Sequence, residues 1–371
     1  MYYQTMIRYG QYVVPLARQC VNFKVGQPSP KLLPLNLIRH ASITKFKEND
    51  PLLLQYGDIP GYSEFRHSLA KFLSTNYKRE VPMDNLFVTS GISSALSLLC
   101  SLFLQPHDVI FVETPTYFLA KKIFQDHNIK CVGINMQSDG IDIQDLKEKL
   151  KQYNPKFMYM IPTAQNPTGI TTSIDKRNQI IELSSMYGFK IIADEVYHML
   201  TFPHIDAPPS MCELGKYNVI SLGSFSKILA PALRLGWMEI PCKKTYACIK
   251  ECGQLDSSGG MNPVISSLVH VLLDNNMQQE HLNDVKNILW CRAKVLIDAI
   301  EEYLVPLGCE YNIPQGGYFI FVKLPVHLDV QADVDYLQFG DWIRLSFSYY
   351  DEEELIEGVK RIHKHINEYH D

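Results

Sequence analysis

Between about Asn85 and Pro241, short apolar runs alternate with stretches of helical spacing. The runs are Leu86-Phe87-Val88, Val109-Ile110-Phe111-Val112, Cys131-Val132-Gly133-Ile134, Phe157-Met158-Tyr159-Met160-Ile161, Ile191-Ile192-Ala193 and Val219-Ile220-Ser221-Leu222. Each has the length of a buried strand, and the alternation predicts a mostly parallel sheet covered by helices on both faces. After Pro241 the pattern changes. Leu, Ile and Val recur at helical spacing from roughly Gln278 to Tyr303. Then come Gly316-Gly317-Tyr318-Phe319-Ile320-Phe321-Val322, Trp342-Ile343-Arg344-Leu345-Ser346-Phe347 and a last helix running from acidic to basic. This predicts a smaller α+β domain. The first fifty residues carry turn signals, Val25-Gly26-Gln27-Pro28-Ser29-Pro30 and Leu33-Pro34, and read as an irregular arm. The expected division of this α/β chain is therefore 1–45 as arm and part of the small domain, 46–245 as the large domain, and 246–371 as the C-terminal small domain.

In open parallel sheets, ligands bind beyond the carboxyl ends of the strands. The polar clusters that follow the apolar runs are thus the candidates: Thr89-Ser90-Gly91, Thr114-Pro115-Thr116-Tyr117, Asn166-Pro167-Thr168-Gly169, Asp194-Glu195-Val196-Tyr197 and Ser224-Phe225-Ser226-Lys227. A lysine at the mouth of such a sheet, near hydroxyls and a second cation, can lose its proton and attack a carbonyl. Lys227 has Ser224 and Ser226 before it and Arg234 after it, and those three suit a phosphate. Together they describe a site for a phosphorylated aldehyde held as a Schiff base, which is the chemistry of pyridoxal 5'-phosphate (PLP).

The other clusters carry paired readings. Asp194 ends an apolar strand, a costly place for an unpaired carboxylate. It serves either a protonated pyridine nitrogen or a structural hydrogen bond, and Tyr197 can reach the same ligand. The Asn166 amide can donate to a ring oxygen, although Asn-Pro-Thr-Gly is also an ordinary turn. Amides at Ser90, Gly91 and Ile92 open a helical run and suit a phosphate, or form a plain N-cap. Tyr117 stacks on a ring or belongs to the core. Arg344, between two apolar residues, is a clamp for a carboxylate or a surface cation on an edge strand.

Composition narrows the class. The chain has 371 residues, 46% hydrophobic and 20% charged, with a net charge of -5. That balance is globular, and it lacks the basic footprint of a nucleic-acid binder. The opening residues hold no signal-peptide core, and the apolar run near Ala95 to Leu104 is too short for a bilayer, so a cytoplasmic protein without a membrane partner is expected. Nine cysteines are scattered without Cys-x-x-Cys, and no histidines cluster near Cys248 and Cys252, so reduced thiols and no metal are expected.

Taken in order, the clusters from Asn166 to Arg234 resemble the fold-type I, PLP-dependent aminotransferases of class I/II. The branch most similar handles 2-aminoadipate, aromatic amino acids or kynurenine. Val25-Gly26-Gln27-Pro28, Tyr56-Gly57, Arg234-Leu235-Gly236-Trp237, Pro314-Gln315-Gly316-Gly317 and Arg344-Leu345-Ser346-Phe347 extend the resemblance over nearly the whole chain. The resemblance implies that Lys227 holds the cofactor covalently and shuttles the proton. It implies that Asp194 pairs with the pyridine nitrogen, Asn166 and Tyr197 hold the ring oxygen, and Tyr117 stacks on the ring. Ser224, Ser226, Arg234 and the turn at Ser90, Gly91 and Ile92 would hold the phosphate. Tyr56 would reach the phosphate of a neighbouring subunit, which implies a homodimer. Arg344, with Asn166 and the backbone at Gly26, would bind the substrate α-carboxylate. The implied reaction is ping-pong transamination between an L-amino acid and a 2-oxo acid. A PLP-dependent β-lyase and a non-catalytic PLP-binding relative use the same scaffold. One departure stands out: the stretch between 325 and 342 is shorter than the family's pattern, so a reduced small domain is expected.

Overall fold

The computed structural model describes residues 6–7, 14–325, 334–335 and 337–370. In it the six apolar runs become the strands Leu86–Thr89, Val109–Thr114, Lys130–Gln137, Pro155–Met160, Lys190–Asp194 and Val219–Ser224. Gly140–Ile141 and Gly236–Glu239 join them, giving an eight-stranded sheet among the described residues. The Lys190–Asp194 strand is central, with Val219–Ser224 and Pro155–Met160 paired parallel on either side. Gly236–Glu239 runs antiparallel to both of its neighbours, Val219–Ser224 and Leu86–Thr89. The six sequence-legible strands therefore all point the same way.

Period-two alternation divides the sheet's residues between two cores, as expected for strands buried on both faces. Phe111, Met158, Met160, Ile191 and Ala193 pack on one side, near Leu146 and Ile180 from covering helices. Ile110, Val112, Phe157, Tyr159, Ile192, Ile220 and Leu222 face the larger core. Asp194, two residues beyond Ile192, lies on this second face at the carboxyl end.

A second, antiparallel sheet has the order Glu310–Tyr311, Phe319–Lys323, Trp342–Ser346, Leu337–Phe339. Trp342–Ser346 is thus an interior strand, and Arg344 is buried rather than on an edge. The helices Met277–Ala299 and Glu352–His370 belong to the same part of the chain and pack on each other. Leu282, Val285, Leu289, Ala293 and Leu296 form the buried stripe of the first, and Leu355, Val359, Ile362 and Ile366 that of the second. Of the stretch expected to be reduced between 325 and 342, residues 326–333 and 336 lie outside the described residues.

The first fifty residues are not wholly irregular. Leu35–Phe46 is an α-helix that packs on the helix Pro263–Asp274. Its apolar residues do not share one buried face, because Leu35, Ile43 and Phe46 are exposed while Ala41 and Lys45 are buried. A helix without an apolar stripe leaves no periodic signal. Before it, the chain lies along the second sheet. Val21–Asn22 pairs parallel with Val334–Asp335, Phe23 and Val25 are buried, and the Ser29 amide donates to the Ser348 carbonyl at 3.1 Å.

Candidate active site

The carboxyl ends of the strands meet the second sheet around a cavity of about 500 Å³. Gly26, Ile92, Tyr117, Asn166, Asp194 and Tyr197 line it, as do Ser224, Ser226, Lys227, Arg234 and Arg344. Ser90 and Gly91 are not part of this lining but sit against Arg234, which is; Tyr56, 78% exposed, is not part of it either.

Sheet register explains the clustering. Ser224 pairs with Gly236, and Gly236 pairs with Thr89. Two loops remote in sequence, one ending in Ser90-Gly91 and the other in Ser224–Arg234, are therefore brought side by side. Arg234 Nη2 donates to the Ser90 carbonyl at 3.3 Å, and the Ser224 and Ser226 hydroxyls are 2.9 Å apart. Gly91 has a φ of +88°, and a Cβ there would sit 2.9 Å from Arg234 Nη2. The helix Ile92–Phe103 begins immediately after it. Hydroxyls, a guanidinium and the first amides of a helix thus surround one corner of the cavity, a donor set that fits a phosphate.

Asp194 also lines the cavity, buried and accepting from the Tyr159 hydroxyl at 2.8 Å. Tyr159 pairs with Ile192 in the sheet, so its ring stands beside the strand end and its hydroxyl reaches Asp194. Burial raises the Asp194 carboxyl to about 6, with the Tyr159 and Val196 hydrogen bonds working against the shift. A carboxylate so placed is short of a cationic partner. Burial also lowers the Lys227 amine, to about 8, helped by Arg344 and Arg234 and opposed by Asp194. Lys227 Nζ donates to the Gly26 carbonyl at 2.6 Å. About a tenth of this amine is neutral at pH 7, far more than for an ordinary lysine.

Arg344 enters from the second sheet. Its guanidinium lies 4.0 Å from the centre of the Phe319 ring, donates to Asn166 Oδ1 at 2.7 Å and to the Lys24 carbonyl at 2.7 Å. Tyr197 is buried, its ring 5.5 Å from that of Tyr318. Tyr117 is half-buried at the cavity wall, directly before the helix Phe118–Asp126.

Several residues at the site were not singled out in the sequence. The Tyr318 hydroxyl donates to the Lys227 carbonyl at 3.1 Å, and its ring lies 5.4 Å from Lys227 Nζ. Gln278 Nε2 donates to the neighbouring Ile228 carbonyl at 2.8 Å. Tyr159, Tyr318 and Phe319 sit inside apolar runs, where an aromatic reads as core. Only the pairing of strands reveals which of them face the cavity.

Residues 18–362 match the family described as aminotransferase class I and II. The chain belongs to that family. It is 29% identical to aromatic-amino-acid aminotransferase 1 of Thermococcus litoralis, over 92% of this chain and 87% of that protein. It is 28% identical to the 2-aminoadipate transaminase of Thermus thermophilus, over 92% of this chain and 89% of that protein. The fold is shared with the kynurenine aminotransferase of Pyrococcus horikoshii, solved in complex with PMP. The TM-score is 0.87 and the identity 29%, over 95% of this chain and 92% of that one. The protein is accordingly a PLP-dependent aminotransferase of fold type I, acting on amino and 2-oxo acids. The aminotransferase's own residues fit the cofactor: the Gly91 corner suits its phosphate, buried Asp194 suits a cationic ring nitrogen, and Lys227 offers a neutral amine to its aldehyde. Among the described residues, no helix is long and apolar enough to cross a membrane.

Proposed function

We propose that this aminotransferase takes the amino group from an aromatic or 2-aminoadipate-like L-amino acid, passes it to a 2-oxo acid by ping-pong chemistry, and works as a homodimer. The observation that carries the reading is the convergence of Lys227, Asp194 and Arg344 from three separate elements on one cavity. The named activities of the relatives support the substrate class, as does the apolar wall formed by Ile92, Leu96, Phe118 and Leu119.

When bound, PLP supplies an electrophilic carbon and a ring that withdraws electrons from the substrate Cα. The chain supplies the rest. Ser224, Ser226, Arg234 and the amides at Ser90, Gly91 and Ile92 hold the phosphate. Asp194 would keep the ring nitrogen protonated, and that cation would offset the cost of burying the carboxylate. Asn166 commits Oδ1 to Arg344, which leaves Nδ2 for the ring oxygen, beside Tyr197. Tyr117 covers the ring face. Arg344 would present its fork to the substrate α-carboxylate, helped by the backbone at Gly26. Lys227 would hold PLP covalently at rest, and its amine would be the group that carries a proton to and from the substrate Cα.

The homodimer reading rests on exposed apolar surface. Leu35, Ile43, Phe46, Leu52, Leu54 and Tyr56 are all more than half exposed. They lie within residues 35–56, and exposed apolar side chains concentrated in one segment suit an interface with a partner. Covering it with a second copy would bring Tyr56 toward the phosphate corner of that copy.

The test is an absorbance spectrum of the PLP-loaded protein before and after adding single amino acids. Phenylalanine, tyrosine, kynurenine or 2-aminoadipate should convert the cofactor to its amine form, and a 2-oxo acid should restore it. A band that responds to no amino acid, or release of pyruvate and ammonia without any 2-oxo acid, would overturn the proposal.

A further inference from the structure

Glu113 is a buried carboxyl that the chemistry above does not use. It stands one residue before the end of Val109–Thr114, 1% exposed. Its Oε2 accepts from the Ile161 amide at 3.1 Å and from Gln165 Nε2 at 3.0 Å. Its Oε1 is buried without a partner among the described residues. A buried carboxyl held only by neutral groups is expensive unless it keeps its proton.

Gln165 is the other half of the arrangement. Fully buried, it donates from Nε2 to the Pro115 carbonyl at 2.8 Å as well as to Glu113. Its Oε1 accepts from both the Thr168 amide at 2.9 Å and the Thr168 hydroxyl at 2.7 Å. Its side chain therefore ties the Pro115–Tyr117 loop to the Asn166–Gly169 turn with three hydrogen bonds, one to Pro115 and two from Thr168, and joins Glu113 with the fourth. Glu113 adds the third point, the end of the Pro155–Met160 strand at Ile161. Those two loops carry Tyr117, at the ring face, and Asn166, at the ring edge and on Arg344.

We propose that Glu113 and Gln165 are a positioning pair that sets the mutual placement of Tyr117 and Asn166. The pair acts through those residues and touches neither substrate nor cofactor; the proposal rests on the reading of Tyr117 and Asn166 as ring contacts. Burial pushes the Glu113 carboxyl up to about 8, and nearby Asp194 pushes it in the same direction. The pair is therefore neutral at pH 7, and an amide at position 113 can take over its acceptor role.

The experiment compares Glu113→Gln, Glu113→Ala, Gln165→Met and, as a control on the underlying reading, Asn166→Ala. Each PLP-loaded variant is assayed for kcat and KM, for the absorbance maximum of the bound cofactor, and for cofactor affinity by fluorescence titration. Melting of each apoprotein checks folding. Small misplacements at a reacting centre cost roughly tenfold to a hundredfold in rate. Glu113→Ala and Gln165→Met should thus lower kcat roughly tenfold or more with KM changed less than about threefold, and should displace the absorbance maximum. Glu113→Gln should recover kcat to within about threefold of the parent. Should Glu113→Ala fail to fold, the near-isosteric Gln165→Met decides. Folded Gln165→Met with the parent's kcat and spectrum would overturn the positioning role, as would a Glu113→Gln that rescues nothing. If Asn166→Ala leaves affinity and spectrum unchanged, the ring-edge reading itself falls, and the pair has nothing to position.

Discussion

Lys227 and Asp194 have opposite charges yet share one cause for their altered acidity, burial at the floor of the cavity. For Lys227 the consequence is kinetic. Only the neutral amine attacks an aldehyde, so covalent attachment of PLP to the apoprotein should accelerate with pH and level off above about 8. Absorbance after rapid mixing measures this; a plateau reached only near the ordinary lysine value would refute the buried amine. For Asp194 the consequence is thermodynamic. A carboxyl raised from 3.8 to about 6 contributes stability that is present in acid and lost as pH rises through about 6. The shift of about two units bounds the loss at about 3 kcal/mol. Asp194→Asn should therefore stabilise the apoprotein by about 1–3 kcal/mol at pH 7.5, with the gain gone below about pH 4, while abolishing turnover. Urea unfolding at the two pH values measures it. Both residues were legible because a charged side chain directly after an apolar strand stands out. Tyr159, which holds Asp194, was not: in Phe157-Met158-Tyr159-Met160 it is one more large residue in a buried run.

Elements place these side chains through register. The six parallel strands were legible from their apolar runs, and so was the position of each polar cluster at a strand end. Gly236–Glu239 was not legible as a strand, being short and opening on glycine. Yet it is the strand that lays the Ser224–Arg234 loop against Ser90-Gly91. The turn that carries Lys227 is held by Tyr318 from the second sheet and Gln278 from the helix Met277–Ala299. Tyr318→Phe keeps the ring in place and leaves the Lys227 carbonyl unpaired, so it should cost about 1 kcal/mol in urea unfolding. A loss of several kcal/mol would mean the ring, not the hydroxyl, had been disturbed. Arg344 makes the same point in reverse. Its strand was expected, but only the pairing on both sides of Trp342–Ser346 makes it interior and turns the arginine into the cavity.

At the scale of the whole molecule, the cavity lies where the large sheet's carboxyl ends meet the second sheet, and the exposed apolar residues from Leu35 to Tyr56 are not part of its lining. A dimer formed through that segment predicts a clear phenotype. Leu52→Arg combined with Leu54→Arg should convert a dimer to a monomer in sedimentation equilibrium. PLP affinity should fall at the same time, since Tyr56 would no longer reach a neighbouring site. A parent protein that sediments as a monomer, or a dimer indifferent to both substitutions, would place the interface elsewhere.

The chain's own order of residues determined the class of fold, the ends of the strands at which chemistry gathers, and the identity of the groups that could carry it. Those properties are local: runs of apolar residues, a turn sequence, a charge at a strand end. Tertiary structure alone decided the rest. The helix Leu35–Phe46 has no apolar stripe to announce it, because its apolar side chains are left exposed rather than turned onto the core. Tyr318 meets Lys227 across a separation of 91 residues, and Arg344 meets Asn166 across 178. Glu113 reaches Gln165 across 52. Contacts of that kind are set by which strands pair and in what register, a property of the assembled sheets that no local pattern encodes.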